Sequence, residues 1–223
     1  MNIFMRNELL WGESKQKILG NSSVSIFGLG GLGCSVLQVL ARAGVKNFHL
    51  YDNSRINPPD IGRQTLYDIR DINKNKTEVA AEKLLAISPN CKPIAINKDV
   101  TLLTQIDQTD CYIDCVDGYK TKLKIHQLVG EHNYLVHGGV EKKIGQVCTF
   151  FEGNNHLTMK ELLKSIKERK VSPAICPQTV QVVGALMAEE VINVLWKEPK
   201  LLDKILFINL ENFTIEKINL SEN

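Results

Sequence analysis

Glycines at a predicted strand-to-helix turn are the strongest chemical signal in this sequence. The turn follows the apolar run 24–27 and opens into a helical pattern that extends to residue 43. Such a turn presents unpaired backbone N–H groups and the positive end of a helix dipole at one point, which suits a phosphate group. We therefore predict that a nucleotide binds at this turn through Gly28, Gly30, Gly31 and Gly33.

An acidic residue follows the next apolar run. Asp52 comes directly after residues 48–51 and nineteen positions after Gly33. A carboxylate at about this distance from the glycines can hold the hydroxyls of a ribose. The glycines and Asp52 together predict a nucleotide, but by themselves they also fit an NAD-dependent dehydrogenase.

Two basic residues and a second carboxylate further along the chain favour a triphosphate over a nicotinamide. Arg63 lies eleven residues after Asp52, Lys76 begins a predicted helix, and Asp117 comes just past the predicted fourth strand. In a parallel sheet the loops after the first, second and fourth strands open on the same edge, so these residues should converge on one crevice. A triphosphate carries about four negative charges that repel an attacking carboxylate, and two cations with a carboxylate that holds Mg²⁺ would offset them.

Strands and helices alternate through the first 140 residues, which predicts a parallel sheet with helices on both faces. One or two short helices are predicted within residues 8–19. The strands predicted after them are 22–28, 47–52, 92–97 and 111–116, and the helices are 31–43, 76–87 and 119–131.

The last third of the chain departs from this alternation, which favours an antiparallel extension of the sheet. We predict one α/β domain over residues 1–223: a Rossmann-like mixed sheet, mostly parallel with an antiparallel C-terminal extension, and with helices on both faces. The elements predicted here are strands at 134–140 and 145–151, an exposed amphipathic helix or mobile crossover at 157–170, an apolar helix at 180–196, and a hairpin at 204–210 and 213–220.

The composition is that of an ordinary globular protein, with 43% hydrophobic and 23% charged residues. A net charge of +2 gives no reason to expect nucleic acid or a membrane surface as a partner. No stretch approaches about eighteen continuous apolar residues, and the first residues are too polar for a secretory signal, so we expect a cytoplasmic protein. The six cysteines form no C-x-x-C pair, which predicts reduced thiols and no zinc site.

Taken together, these motifs resemble the ThiF/MoeB/HesA family, the bacterial relatives of the ubiquitin-activating E1 enzymes. The resemblance extends over nearly the whole chain and is that of a compact member without zinc motifs, most similar in pattern to ThiF. The segments that carry it are 6–12 with Gln16, the glycine turn, 43–45, Asp52, Arg63-Gln64, Lys76, 114–117, 137–140, 145–147 and 184–190.

The resemblance implies adenylylation of the C-terminal carboxylate of a small ubiquitin-fold sulfur carrier protein, which usually ends in Gly-Gly. The reaction would use ATP and Mg²⁺ and serve sulfur transfer in thiamine or molybdenum-cofactor synthesis. By the same resemblance, Arg63 and Lys76 would neutralise the phosphates, Asp117 would hold Mg²⁺, and Asp52 would hold the ribose. Arg6 would reach the ATP of the other subunit in a homodimer.

Three features differ from the usual family pattern. Asp60 stands where members usually carry asparagine, and a carboxylate beside phosphates is unfavourable unless Mg²⁺ or Arg63 offsets it. Gly118 replaces a common asparagine, and the zinc-binding cysteine pairs of many members are missing. Cys176 precedes the apolar helix, and we interpret it as a structural cysteine.

Three other functions stay open at this point. One is an NAD-dependent oxidoreductase, although no hydride-transfer motif is recognisable. Another is a non-catalytic E1-like scaffold, for which Asp60 and Gly118 leave room. A third is a tRNA-modifying dehydratase of the same superfamily, which the lack of a basic patch disfavours.

Overall fold

The computed structural model of the protein describes residues 2–151 and 174–220. The strands in chain order are β1 (Ser23–Phe27), β2 (Asn47–Tyr51), β3 (Lys92–Ile96), β4 (Cys111–Asp114), β5 (Tyr134–Glu141), β6 (Ile144–Phe151), β7 (Lys204–Asn209) and β8 (Thr214–Asn219). The helices in the same ranges are α1 (Met5–Asn21), α2 (Gly31–Ala43), α3 (Lys76–Ile87), α4 (Tyr119–Val129) and α5 (Pro177–Leu195).

Within the described residues, eight strands form one mixed sheet in the order β3-β2-β1-β4-β5-β6-β7-β8. Strands β1 to β5 pair in parallel, whereas β6, β7 and β8 join the sheet antiparallel. The chain moves outward from β1 to β2 and β3 and then returns to place β4 on the other side of β1. The carboxyl ends of β1 and β4 therefore border the point where the strand order reverses, which is where open α/β sheets bind ligands. The predicted fold class is confirmed.

Alternating side chains of the central strands supply two cores, one on each face of the sheet. On one face Ile26 of β1 and Ile113 of β4 belong to a cluster that includes residues of α2, α3 and α5. On the other face Phe27 and Tyr112 belong to a cluster that includes residues of α4. Neighbouring residues of a strand point to opposite faces, so this division places helices on both faces of the sheet.

Helices α2 and α5 pack closely because small residues lie between them. Gly184 of α5 lies against Ser35 of α2, and a Cβ added at Gly184 would collide with that side chain. Helix α5 begins at Pro177, three residues earlier than predicted, because proline is well suited to the first turn, where its missing N–H leaves nothing unpaired. Helix α2 ends at Ala43, and the positive φ of +108° at the following Gly44 turns the chain so that the N–H of Val45 bonds the Leu40 carbonyl.

The bounds of three other predicted elements are wrong by two or three residues. Helix α1 extends past its predicted range at both ends and is interrupted at Gly12, where φ is +83°. Strand β4 ends at Asp114 because its side chain accepts a hydrogen bond from the N–H of Val116 and turns the chain. Helix α4 ends at Val129, where Gly130 takes a φ of +66°.

The described residues also bear on membrane-spanning helices and on metal sites. Among the residues described, no helix is long and apolar enough to cross a membrane. In the same ranges, no group of three or more His, Cys, Asp and Glu side chains is placed to hold a metal ion. The amphipathic segment predicted at 157–170 lies outside the described residues.

Candidate functional site

A cleft of about 870 Å³ opens at the carboxyl edge of the sheet, where the strand order reverses. The turn after β1, the segment after β2, the start of α3 and the loop after β4 all contribute to it. Of the residues predicted from the sequence, the cleft brings together Gly28, Gly30, Gly31, Asp52, Arg63, Lys76 and Asp117. Two predicted residues lie elsewhere: Gly33 is buried behind the turn, and Arg6 is exposed on α1.

The glycines of the turn are needed for close packing. Gly28 has a φ of +88°, and a Cβ there would lie 3.0 Å from a methyl group of Val116. A Cβ at Gly31 would lie 2.7 Å from Val180 of α5, and one at Gly33 would overlap the carbonyl oxygen of Gly28. Side chains at these positions would separate the turn from the helices behind it, so the turn requires glycine there.

Asp52 holds the glycine turn in place. One of its oxygens accepts a hydrogen bond of 2.7 Å from the N–H of Leu29, and the other accepts one of 2.7 Å from the N–H of Ser54. The hydroxyl of Tyr67 donates to the carbonyl of Leu29 at 3.0 Å, so both sides of Leu29 are anchored. The sequence predicted a ribose contact for Asp52 and missed this supporting role.

The groups beneath the turn are uncharged. Burial raises the pKa of the Tyr67 phenol well above its ordinary range, which keeps the hydroxyl protonated as a donor. Burial likewise raises the pKa of the Cys34 thiol, to about 12. The Asp52 carboxylate contacts the turn directly, through the N–H of Leu29.

Arg63 and Lys76 converge on one carboxylate, that of Asp60. Arg63 Nη2 lies 3.1 Å from Asp60 Oδ1, and Lys76 Nζ lies 3.5 Å from Asp60 Oδ2. Asp60 also accepts hydrogen bonds from Gln64 Nε2 at 2.8 Å and from the N–H of Asn57 at 3.0 Å. The sequence identified Asp60 as unfavourable unless offset, and the structure offsets it with two cations.

The two cations differ in exposure and in what holds them. The Lys76 side chain is 9% exposed and begins α3, where the helix dipole disfavours a positive charge unless an anion is close. The Arg63 side chain is 32% exposed, and its Nη1 donates to the carbonyl of Pro59 at 2.7 Å. Asp60 supplies the anion for both, so the cations are in place on one side of the cleft.

A buried network of charges that the sequence did not predict lies at the carboxyl end of β4. Asp114 Oδ2 lies 2.7 Å from His137 Nδ1 of β5 and 3.2 Å from Lys122 Nζ of α4. Burial raises the pKa of Asp114, but the Lys122 charge and the His137 hydrogen bond outweigh it and hold that pKa below its ordinary value. Burial and the Lys122 charge lower the pKa of His137, so the network contains one ion pair and a neutral imidazole.

This network fixes the loop that carries Asp117. Asp114 Oδ1 accepts from the N–H of Val116 at 3.1 Å, and Lys122 Nζ donates to the carbonyl oxygen of Val116. Val116 is thus held at both ends, directly before Asp117, whose carboxylate is exposed at the rim of the cleft. One signal in the sequence could have revealed the network: an aspartate in a buried strand requires a partner, and Lys122 lies on the helix that follows.

A family model matches residues 4–223, nearly the whole chain, and its description is "ThiF family". The chain belongs to the ThiF family. This ThiF-family chain is 31% identical over 219 residues to the molybdopterin-synthase adenylyltransferase of Haemophilus influenzae, with 93% of the chain and 89% of the relative covered. It is 28% identical over 200 residues to the sulfur carrier protein adenylyltransferase of Thermus thermophilus, with 82% and 73% covered.

Solved structures agree with this assignment. Escherichia coli MccB bound to ATP matches with a TM-score of 0.84 and 26% identity, over 100% of this chain and 72% of that protein. The relatives share the activity in their names, and this member of the family is an adenylyltransferase. That activity favours neither an NAD-dependent oxidoreductase nor a non-catalytic scaffold.

Proposed function

We propose that this protein transfers AMP from ATP to the C-terminal carboxylate of a small ubiquitin-fold sulfur carrier protein that ends in Gly-Gly. The observation that carries the proposal is the convergence of Arg63 and Lys76 on one side of the cleft that the glycine turn borders. The names of the Haemophilus and Thermus relatives support a carrier protein as the acceptor. The ATP in the MccB structure supports the nucleotide.

The hydrogen-bonding groups that border the cleft suit ATP as a substrate. Gly30 is the N-cap of α2 and has no side chain to satisfy the N–H groups of the first turn. These groups and the positive end of α2 are therefore available to a phosphate. Asp52 retains unused lone pairs beside the turn, since each carboxylate oxygen accepts about two hydrogen bonds. We assign the ribose hydroxyls to it.

Asp117 is the proposed Mg²⁺ ligand. Magnesium is usually held by one or two carboxylates together with substrate phosphates and water, so a single exposed carboxylate at the rim fits that pattern. Bound there, Mg²⁺ would supply positive charge to the phosphates. The clamp on Val116 by Asp114 and Lys122 keeps the Asp117 carboxylate at the cleft.

The reaction then needs positioning and charge neutralisation rather than a base. A C-terminal carboxylate has a pKa of about 3.5, so it is already ionised at neutral pH. One of its oxygens attacks the α-phosphorus of ATP and forms the bond that joins AMP to the carrier. The bond between the α-phosphorus and the α–β bridging oxygen breaks, and pyrophosphate leaves with that electron pair. Arg63 and Lys76 reduce the repulsion between the attacking carboxylate and the phosphates of ATP. They also offset the charge that develops on pyrophosphate as it leaves.

We propose a cytoplasmic homodimer in which Arg6 reaches the nucleotide of the partner subunit, serving thiamine or molybdenum-cofactor sulfur transfer. Leu9 and Leu10, on the same helix as Arg6, are each 81% exposed, and an interface between subunits would cover them. Burying two leucines on association is favourable by about 1.5–3 kcal/mol each.

The test is ATP–pyrophosphate exchange with purified protein and a candidate carrier. Exchange that requires the carrier and disappears when its last glycine is removed or amidated supports the proposal. Exchange that responds to a short peptide instead replaces the carrier with a peptide substrate. ATP binding without any exchange indicates a scaffold, and binding of NADH but not ATP indicates an oxidoreductase.

A further inference from the structure

Asp60 lies in one of two similar turns of the chain. In the first, the 3₁₀ turn Pro58–Asp60, the carboxylate of Asp60 bonds back to the N–H of Asn57. In the second, the turn Ile69–Asp71, the carboxylate of Asp71 bonds back to the N–H of Asp68 in the same way. Both aspartates are buried, at 7% and 4% exposure, and each binds two cations.

The two turns differ in where their cations lie relative to the cleft. The cations on Asp71 are Lys74 at 3.0 Å and Lys83 at 3.2 Å, and neither is among the described residues that line the cleft. The cations on Asp60 are Arg63 and Lys76, and both line it. The first turn therefore presents its cations to the nucleotide site, whereas the cations of the second turn lie outside the cleft.

We infer that Asp60 is an internal counter-anion that occupies Arg63 and Lys76 until a phosphate competes for them. This inference rests on the proposed function, because it assigns a positioning role within the same site. Asp60 holds the two cations in place before the nucleotide arrives. As a fixed negative charge it also opposes polyphosphates that arrive without a metal, so that the site selects the Mg²⁺-bound nucleotide.

The distances place Asp60 close to any phosphate that binds the two cations. The two cations lie 3.1 and 3.5 Å from the Asp60 carboxylate, so any phosphate that bonds the same cations approaches Asp60 as well. The site is largely screened from water at this point, which strengthens the repulsion between the two anions. A bound Mg²⁺ cancels part of the phosphate charge and reduces that repulsion.

Gln64 is buried beside Asp60 and can adapt its hydrogen bonds to a neutral side chain at position 60. Gln64 is 2% exposed, its Nε2 donates to Asp60, and its Oε1 is buried with no hydrogen-bond partner among the described residues. A neutral amide at position 60 would let Gln64 turn over and accept with Oε1. Asp60→Asn thus removes the charge while keeping a bonded side chain, and it frees Arg63 and Lys76.

Asp71→Asn is the matched control, because it removes the same charge from the same kind of turn. Binding of metal-free pyrophosphate, metal-free ATP and Mg²⁺-ATP to the full chain is measured by calorimetry, and kcat and KM by pyrophosphate exchange. We expect Asp60→Asn to bind metal-free pyrophosphate at least about tenfold more tightly and Mg²⁺-ATP at most about threefold more tightly. The kcat should fall, because Arg63 then keeps only its bond to the Pro59 carbonyl, while Asp71→Asn should match the wild type in all of these measurements.

The inference is overturned if Asp60→Asn binds metal-free pyrophosphate no more tightly than the wild type does. It is also overturned if Asp71→Asn shows the same gain. Should Asp60→Asn fail to fold, Asp60→Ser removes the charge with a smaller side chain and must shift affinity in the same direction. If the wild type exchanges normally and these variants show no gain in affinity, this inference alone is refuted. If the wild type binds neither ATP nor pyrophosphate, the proposed function is refuted too.

Discussion

The carbonyl oxygen of Gly28 occupies the space into which a side chain on Gly33 would extend. The strand-to-helix turn is therefore closed by contact between two backbones, and Gly33 contributes packing rather than a direct contact with a ligand. The same turn leaves open space at Gly30, where an added Cβ would meet nothing nearer than Gln64 at 3.8 Å. Two glycines of one motif thus have different physical roles.

Gly33→Ala should disrupt the turn, whereas Gly30→Ala should not. Overlap with the Gly28 carbonyl is expected to cost about 1–3 kcal/mol or more of unfolding free energy and to abolish measurable ATP binding. Gly30→Ala should change the unfolding free energy by less than about 1 kcal/mol. Urea unfolding and calorimetric ATP binding check both variants, and equal stability of the two would contradict the packing role of Gly33.

Arg63→Ala and Asp117→Ala should each lower ATP–pyrophosphate exchange by about 10²-fold or more, since each removes one preorganised charge partner of the phosphates. Arg70→Ala is the control, because Arg70 is 80% exposed and pairs with Asp68 outside the cleft. Its exchange rate should equal that of the wild type. Near-normal exchange by both Arg63→Ala and Asp117→Ala would show that the site is wrongly assigned.

Lys122→Met should destabilise the protein strongly, because it leaves the Asp114 carboxylate buried without its cation. Removing one partner of a buried ion pair costs about 3–5 kcal/mol, and the double variant with Asp114→Asn should recover much of it. Lys143→Met breaks an exposed pair with Glu211 and should cost less than about 1 kcal/mol. Urea unfolding measures all three, and similar costs for Lys122→Met and Lys143→Met would rule out a structural role for the network.

Acid should destabilise the protein through His137 before it affects the carboxylates. The folded-state pKa of His137 is lowered by burial and by Lys122, while an unfolded histidine titrates near about 6.5. The unfolded state therefore binds the proton first, and the unfolding free energy falls as the pH drops below about 6.5 towards the folded-state pKa. His137→Asn should lose this slope between pH 7.5 and 5.5, and an unchanged slope would assign it to other groups.

Asp114 adds a second loss at lower pH. Its folded-state pKa lies below the ordinary value, so its contribution is present above that ordinary value and is lost as the pH falls through the folded-state pKa. The two groups thus act in the same direction in separate pH windows.

Mixing two inactive variants tests whether Arg6 acts across a dimer. In a mixed dimer of Arg6→Ala and Asp117→Ala subunits, one site keeps its own Asp117 and receives Arg6 from the other subunit. Random reassociation should therefore restore about a quarter of wild-type exchange, because half of the dimers each regain one of two sites. If Arg6 acts within its own subunit, or if the chain is a monomer, mixing restores nothing.

Local patterns predicted much of the fold. Glycine spacing, apolar runs and helical periodicity depend on residues close together in the chain, and the alternation of strands and helices then restricts the order of the parallel strands. Element ends were less predictable. Asp114 ends β4 two residues early, and the cause is a side-chain hydrogen bond that no apolar pattern records.

The sequence alone predicted residues that the structure brings to one cleft, because the loops that carry them open at one edge of the sheet: Gly28, Gly30, Gly31, Asp52, Arg63, Lys76 and Asp117. Only the tertiary structure decided how those residues are held. Asp60 joins Lys76 across sixteen positions, and Asp114 joins His137 across twenty-three. Such pairings depend on the distance and burial that packing creates, and burial makes an unpaired charge costly enough to require a partner.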